Sequence, residues 1–169
     1  YMPISASAIR RDVYEAMIDK SASAGAFGQG YTYSGHPVAC AVALRVLEIY
    51  DRDEIFDRAS TTGKYLQEQL SQFSSHPLVG EVRGSGLLAA LELVPNKELN
   101  HQFKDGKVGG VAQKMAQDNG LLIRTVAGSS IGICPPLIIT NNQIDELIDK
   151  LGDALDKTLQ YCQTYNLLT

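Results

Sequence analysis

The chain has 169 residues, of which 44% are hydrophobic and 20% charged, and this balance predicts a packed domain rather than a disordered chain. The formal net charge of −4, with scattered lysines and arginines, argues against a nucleic-acid or anionic-membrane partner. No apolar run approaches the roughly 20 residues of a transmembrane helix. Cys40, Cys134 and Cys162 lack paired spacing, which favours a reducing cytoplasm and predicts that each cysteine is a small buried hydrophobe.

The first 35 residues contain little material for a core. Ile9, Val13 and Met17 recur at helical spacing and predict a helix over 7–17. Residues 21–35 are rich in Ser, Ala and Gly, and this composition is typical of a loop. The opening at Tyr1 shows neither an initiating methionine nor a targeting pattern, so we expect the chain to be a fragment.

A long apolar segment follows that loop. Pro37 stands where a proline favours the first turn of a helix, and residues 38–50 are apolar on most faces. The pattern predicts a helix that is buried between two parts of a larger structure.

Residues 53–169 alternate between helical and strand patterns. A helix is predicted over 55–73, a glycine hairpin joins strands 79–83 and 87–94, and a further helix stops at Asn119-Gly120. Strands 121–126 and 130–134 then precede a helix that opens with a capping box at Thr140 and Gln143. Hairpins interleaved with helices predict an α+β fold, in which helices pack on an antiparallel sheet.

The candidate chemistry is concentrated in residues 30–37. The three histidines are far apart in sequence, so we expect no metal site, and no P-loop or nucleophile elbow is present. Residues 30–37 carry hydroxyls and amides ahead of a helix start, where a phosphate would be stabilised. The alternative is a capped helix, with Ser34 or His36 as N-cap and Pro37 in the first position.

Several motifs resemble class III (omega-type) aminotransferases, which are pyridoxal-phosphate (PLP) enzymes of fold type I. In chain order they are Pro3-Ile4-Ser5-Ala6, Gly30 to Cys40, Val79 to Leu87, Gly120 to Arg124, and Pro135 to Thr140. The resemblance implies that 1–35 is a remnant of the large α/β PLP-binding domain, 36–52 a connecting helix and 53–169 the small carboxy-terminal domain.

The resemblance also implies site residues. Tyr31 and Thr32 match a segment that contributes to the cofactor phosphate of the neighbouring subunit in a homodimer, although Thr32 could instead bond locally in the turn. Arg124 matches a mobile arginine for the substrate carboxylate, the alternative being a surface ion pair. Arg83 matches a structural arginine, and Gln29 departs from the histidine of many relatives.

The family's cofactor-binding lysine precedes the position of Tyr1, and none of the eight lysines stands in matching context. We therefore assign no catalytic residue and expect the chain alone to be inactive. The complete enzyme would move an amino group from an amine or omega-amino acid to a keto acid such as pyruvate. The alternatives are a PLP-dependent aminomutase, racemase or decarboxylase of the same scaffold, and a non-catalytic dimerisation or binding module.

Overall fold

The computed structural model describes residues 2–28, 30–98, 101, 103 and 106–168. The chain divides into two compact units, Tyr1–Asp53 and Glu54–Thr169. The first unit contains helices α1 (Arg11–Ala24) and α2 (Pro37–Arg52). In the second unit the elements are α3 (Ile55–Ser71), a 3₁₀ turn (Gln72–Ser75), β1 (Val79–Ser85), β2 (Leu88–Leu93), α4 (Lys107–Asp118), β3 (Arg124–Val126), β4 (Ser130–Ile133) and α5 (Asn141–Thr164).

The predicted order of the second unit is confirmed, and its strands form one antiparallel sheet in the order β1-β2-β4-β3. Gly86 takes a positive φ of 56° in the tight turn between β1 and β2, where Ser85 pairs with Leu88. The α+β arrangement follows, because α3 packs on β1, α4 packs on β3, and both helices contact α5.

The core of the second unit lies between the helices and the inner face of the sheet. Alternation along β2 sends Leu91 and Leu93 inward, while Ala90 and Glu92 lie on the outer face. The fully buried large side chains in this core include Leu66, Leu70, Leu91, Leu93, Val108, Ile131, Ile144, Leu151 and Leu155. The capping box at the start of α5 is present, with the Gln143 backbone N–H donating to Thr140 Oγ1 at 3.3 Å.

Helix α1 lies later in the chain than the predicted 7–17, and it continues into the segment expected to be a loop. The Ser21 hydroxyl donates to the Ile18 carbonyl at 2.7 Å and the Ser23 hydroxyl to the Lys20 carbonyl at 3.2 Å. These serines therefore satisfy their hydroxyls within the helix, and the neighbouring Ala22 and Ala24 are strong helix formers. The helix ends at Gly25, whose φ is 84°.

Helix α2 has the predicted position, but the chain itself does not bury it. Ala39 is the one residue of α2 that is buried, whereas Val38, Leu44 and Leu47 are 55%, 63% and 54% exposed. The sequence predicts burial between two parts of a larger structure, and within the first unit the apolar faces of α2 are exposed.

The strand predicted over 121–126 is shorter in the structure. The Leu121 N–H donates to the Ala116 carbonyl at 2.8 Å and the Gly120 N–H to Gln117 at 3.0 Å, which is the bonding pattern of a Schellman motif. The Leu121 N–H is therefore used at the C-terminus of α4, and the pairing of β3 with β4 begins only at Arg124.

The prediction that each cysteine is a buried hydrophobe is confirmed for one of the three. Cys162 is buried as predicted, but Cys40 is half-buried and Cys134 exposed, because Cys134 directly follows the last residue of β4. Among the described residues, none of the helices combines the length and apolar content needed to span a bilayer. Gln29 lies outside the described residues, as does part of the polar segment 97–106.

Candidate functional site

The segment before α2 forms a tight turn. The Ser34 N–H donates to the Tyr31 carbonyl at 2.9 Å, and the Tyr31 N–H donates back to Ser34 Oγ at 3.1 Å. Gly35 has a φ of 68°, which redirects the backbone into the helix. His36 is the N-cap, with its Nδ1 accepting the Ala39 N–H at 3.4 Å, and Pro37 opens the helix. The capped helix that the sequence allowed is thus present.

Thr32 stands apart from this bonding. Its side chain is exposed, and within the described part of the chain its hydroxyl and amide make no hydrogen bond. The local bond considered for Thr32 is made by Ser34 instead. A turn that leaves a hydroxyl and an amide available to solvent can donate to an anion without breaking internal bonds.

These groups fit part of a phosphate site. Pro37 has no N–H and the Ala39 N–H is taken by His36, so the helix terminus supplies fewer donors than an uncapped one. The His36 imidazole is engaged as an acceptor in this cap. The Tyr31–Thr32 turn can therefore contribute donors to the phosphate of PLP, and other groups would have to supply the positive charge.

A cavity of about 610 Å³ lies beside this turn in the first unit. Its walls come from residues 2–6 and residues 31–40, which include residues of two motifs that carry the resemblance. Ser5, Ser34 and His36 supply polar groups to the lining, and Ile4, Tyr31 and Tyr33 supply apolar surface. The structure thus brings together two segments that are separated by 24 residues of helix and loop.

Arg124, the predicted substrate residue, lies in the second unit as the first residue of β3. Its side chain is exposed and, within the described part of the chain, forms no ion pair or hydrogen bond. Among the residues that the structure describes, the surface ion pair considered for Arg124 is therefore not formed. The guanidinium keeps its donors available for a carboxylate.

Arg83 occupies the same row of the sheet but has a different environment. The cross-strand register runs from Arg83 through Ala90 and Gly132 to Arg124, so both arginines lie on the outer face. Arg83 Nη2 is 2.9 Å from Glu92 Oε2, and its Nη1 is 2.9 Å from Glu81 Oε2. The hydrogen bond to Glu92 is the main cause of the raised pKa of Arg83. The positive charge of Arg83 is thus paired with carboxylates of the sheet, in keeping with the structural role expected for this residue.

The second unit also has an apolar cleft of about 640 Å³, between residues 120–123, residues 132–140 and α5. Its charged lining residues are paired with each other, since Lys150 donates to Glu146 at 2.6 Å. The Gln143 side chain serves the cap of α5. The cleft therefore offers little to a charged substrate.

Two residues beside Arg124 escaped the sequence reasoning. Thr125 is bonded through its backbone and side chain to Gln113 of α4. Gln113 and Thr125 are 12 residues apart and belong to a helix and a strand, so their contact leaves no local motif in the sequence. No sequence signal could therefore have identified this contact.

The fold is that of fold-type I transaminases. A crystal structure of the omega transaminase from Pseudomonas jessenii in complex with PMP superposes with a TM-score of 0.83 and 38% identity, over 90% of this chain and 34% of that one. A structure titled "Transaminase with L-ala" also gives a TM-score of 0.83 and 38% identity, over 90% of this chain and 36% of that one.

The sequence comparisons agree with the structural ones. The model of the family "Aminotransferase class-III" matches residues 2–155. A probable mitochondrial gamma-aminobutyrate transaminase of Oryza sativa subsp. indica is 41% identical over 94% of this chain and 31% of its own length. A putrescine–pyruvate aminotransferase of Pseudomonas aeruginosa is 42% identical over 94% of this chain and 34% of its own.

The chain belongs to the class-III aminotransferase family, whose members depend on PLP. It spans about a third of the length of the curated relatives it matches.

Proposed function

We propose that the chain is part of an aminotransferase that moves an amino group from an amine or omega-amino acid to a keto acid such as pyruvate. The observation that carries this proposal is the difference between the two arginines on the outer face of the sheet. Arg83 is held by two carboxylates, whereas Arg124 is exposed and unpaired within the described residues. An exposed, unpaired guanidinium is suited to a ligand carboxylate.

In this proposal Arg124 binds and orients the substrate carboxylate. A bidentate pair fixes the direction of the carboxylate as well as its distance, so the reacting end of the substrate is presented in one orientation. An amine donor that lacks a carboxylate makes no use of this contact. Arg124 would therefore select among donors without taking part in the chemistry.

Thr32 and Tyr31 are proposed to bind the cofactor phosphate. PLP, when bound, supplies an electron sink for the carbon that carries the amino group. The Thr32 hydroxyl, which is free within the described residues, would donate a charge-assisted hydrogen bond to the phosphate. Because the family resemblance assigns this segment to the neighbouring subunit's cofactor, the proposal includes a homodimer.

The remaining assignments are also proposals. We infer that residues 1–35 belong to the large PLP-binding domain, 36–52 to a connecting helix and 53–169 to the small domain. The apolar side chains of α2, which are exposed in this chain, support a covering surface from the rest of the enzyme or from a second copy. A cytoplasmic location remains our prediction, although the relatives include proteins named as mitochondrial and chloroplastic.

The substrate role is tested in the complete polypeptide that contains this chain. Arg124→Ala is compared with wild type in the donor half-reaction, using a donor with a carboxylate and a primary amine without one. A charge-assisted hydrogen bond contributes about 1.5–3 kcal/mol, so the KM for the carboxylate donor should rise by about 10- to 150-fold. The amine without a carboxylate should react as before.

The matched control is Arg58→Ala, which removes another exposed arginine of the second unit. Equal losses for both donors, or equal effects of the two substitutions, would contradict the assignment of Arg124. Product analysis with pyruvate also distinguishes amino transfer, which yields alanine, from the other reactions considered. Those reactions are racemisation of the donor, migration of its amino group and decarboxylation. No turnover is expected from the 169-residue chain alone.

The phosphate role has a readout that does not depend on activity. Thr32→Val removes the hydroxyl while keeping the shape of the side chain, and Thr32→Ser keeps the hydroxyl. The affinity for PLP, measured by equilibrium dialysis, should fall for Thr32→Val and be retained by Thr32→Ser. Equal affinities for both variants would remove Thr32 from the phosphate site.

A further inference from the structure

Arg124 is carried by a strand that has little support of its own. β3 contains three residues and lies at the edge of the sheet, where β4 is its one partner among the described strands. An edge strand presents backbone donors and acceptors that no neighbouring strand satisfies. A side chain on such a strand is placed accurately only if something else holds the free edge.

The side chain of Gln113 holds that edge. Gln113 Oε1 accepts the Thr125 backbone N–H at 2.9 Å, on the side of β3 that faces away from β4. The Thr125 hydroxyl lies 2.9 Å from the same oxygen and 2.9 Å from the Gly109 carbonyl, and can donate to either. One amide oxygen of α4 thus takes the place of a neighbouring strand, at the residue that follows Arg124.

Gly109 keeps α4 close enough for this contact. A Cβ atom at position 109 would lie 2.6 Å from the Gly128 carbonyl oxygen and 2.6 Å from Thr125 Cγ2. The helix therefore touches both β3 and the turn that joins β3 to β4. The contacts around Gln113 are half-buried, so water competes weakly for them.

We propose that Gln113 is a positioning residue for Arg124, which fixes the backbone of β3 so that the guanidinium meets the substrate carboxylate at one angle. The inference rests on the proposed role of Arg124. Bidentate binding by a planar guanidinium depends on orientation, and a displacement of the carrying strand weakens the contact even when the arginine is intact. Gln113 itself does not contact the substrate in this proposal.

The test uses the complete polypeptide and three substitutions on α4. Gln113→Leu removes the acceptor, Gln113→Glu keeps an oxygen in its place, and Gln117→Leu makes the same change at an exposed position of the same helix. The donor half-reaction is measured with 4-aminobutyrate, which has a carboxylate, and with a simple primary amine, which has none. Protection of the Thr125 amide from hydrogen exchange is measured in parallel.

Gln113→Leu should raise the KM for 4-aminobutyrate by about tenfold, leave the simple amine unchanged and remove the protection of the Thr125 amide. Gln113→Glu and Gln117→Leu should retain wild-type selectivity. An unchanged KM for 4-aminobutyrate in Gln113→Leu, or equal losses for both donors, would overturn the inference.

Arg124→Ala, measured in the same assay, distinguishes this failure from that of the proposed function. If Arg124→Ala is selective for the carboxylate donor while Gln113→Leu is not, only the inference fails. If Arg124→Ala shows no selectivity, the proposed role of Arg124 and the inference fail together.

Discussion

The same substitution, glycine to alanine, should change the stability of the chain in opposite directions at Gly109 and Gly110, two adjacent residues of α4. Alanine is favoured over glycine in a helix by about 0.5–1 kcal/mol, and this gain applies to both Gly109→Ala and Gly110→Ala. A Cβ at Gly110 would meet no atom of the described residues within 4 Å, whereas a Cβ at Gly109 would lie 2.6 Å from the Gly128 carbonyl oxygen. Overpacking against atoms that cannot move away costs about 1–3 kcal/mol. We therefore expect Gly110→Ala to stabilise the chain and Gly109→Ala to destabilise it.

The free energy of unfolding is measured for both variants by urea titration followed by circular dichroism. The two variants should differ by about 1–3 kcal/mol, which corresponds to roughly 1 M urea in the midpoint for an m-value of 1–3 kcal/mol/M. Gly110→Ala serves as the control, because it has the same chemistry in the same turn of the helix. Equal stabilisation by both substitutions would refute the close approach of α4 to the turn between β3 and β4.

Two further predictions concern stability. Thr140→Ala removes the capping box of α5 and should lower the free energy of unfolding by about 1 kcal/mol. The control is Asn142→Ala, at the exposed second residue of the same helix, which should have a smaller effect in the same titration. Burial lowers the pKa of His76, and the nearby Asp156 carboxylate offsets only part of this lowering. Nδ1 of the neutral ring accepts the Leu78 N–H at 3.2 Å. The unfolded chain therefore binds the proton more readily, so stability should fall as the pH drops below about 6.5, the ordinary pKa of histidine. His76→Asn, which keeps an acceptor, should reduce this loss between urea titrations at pH 7.5 and 5.5, and an unchanged pH dependence would contradict the reasoning.

The second unit was largely predictable from its sequence, because local signals there agree with the tertiary structure. The glycine turn after β1, the Asn119-Gly120 stop and the capping box at Thr140 each specify an element boundary through backbone chemistry. Apolar residues at helical or alternating spacing specify which faces meet. The same residues form the buried core in the structure.

The misplaced helix and strand boundaries occurred where one residue could satisfy its hydrogen bonds in two ways. Ser21 and Ser23 are typical of loops, yet they bond back into α1 and leave it intact. Leu121 has the hydrophobicity of a strand residue, yet its N–H closes α4. Composition cannot distinguish these outcomes, since the choice depends on which partner the folded backbone places within reach.

The candidate site shows the same division between what a sequence states and what a fold decides. The sequence supplies two arginines, Arg83 and Arg124, with the same charge and the same capacity for a carboxylate. The register of the sheet then places Glu92 beside Arg83 and leaves Gly132, which has no side chain, opposite Arg124. The charge pairing of Arg83 thus depends on Glu92 across the strand as well as on Glu81 in β1. The difference between a structural arginine and one available to a substrate is therefore a property of strand register.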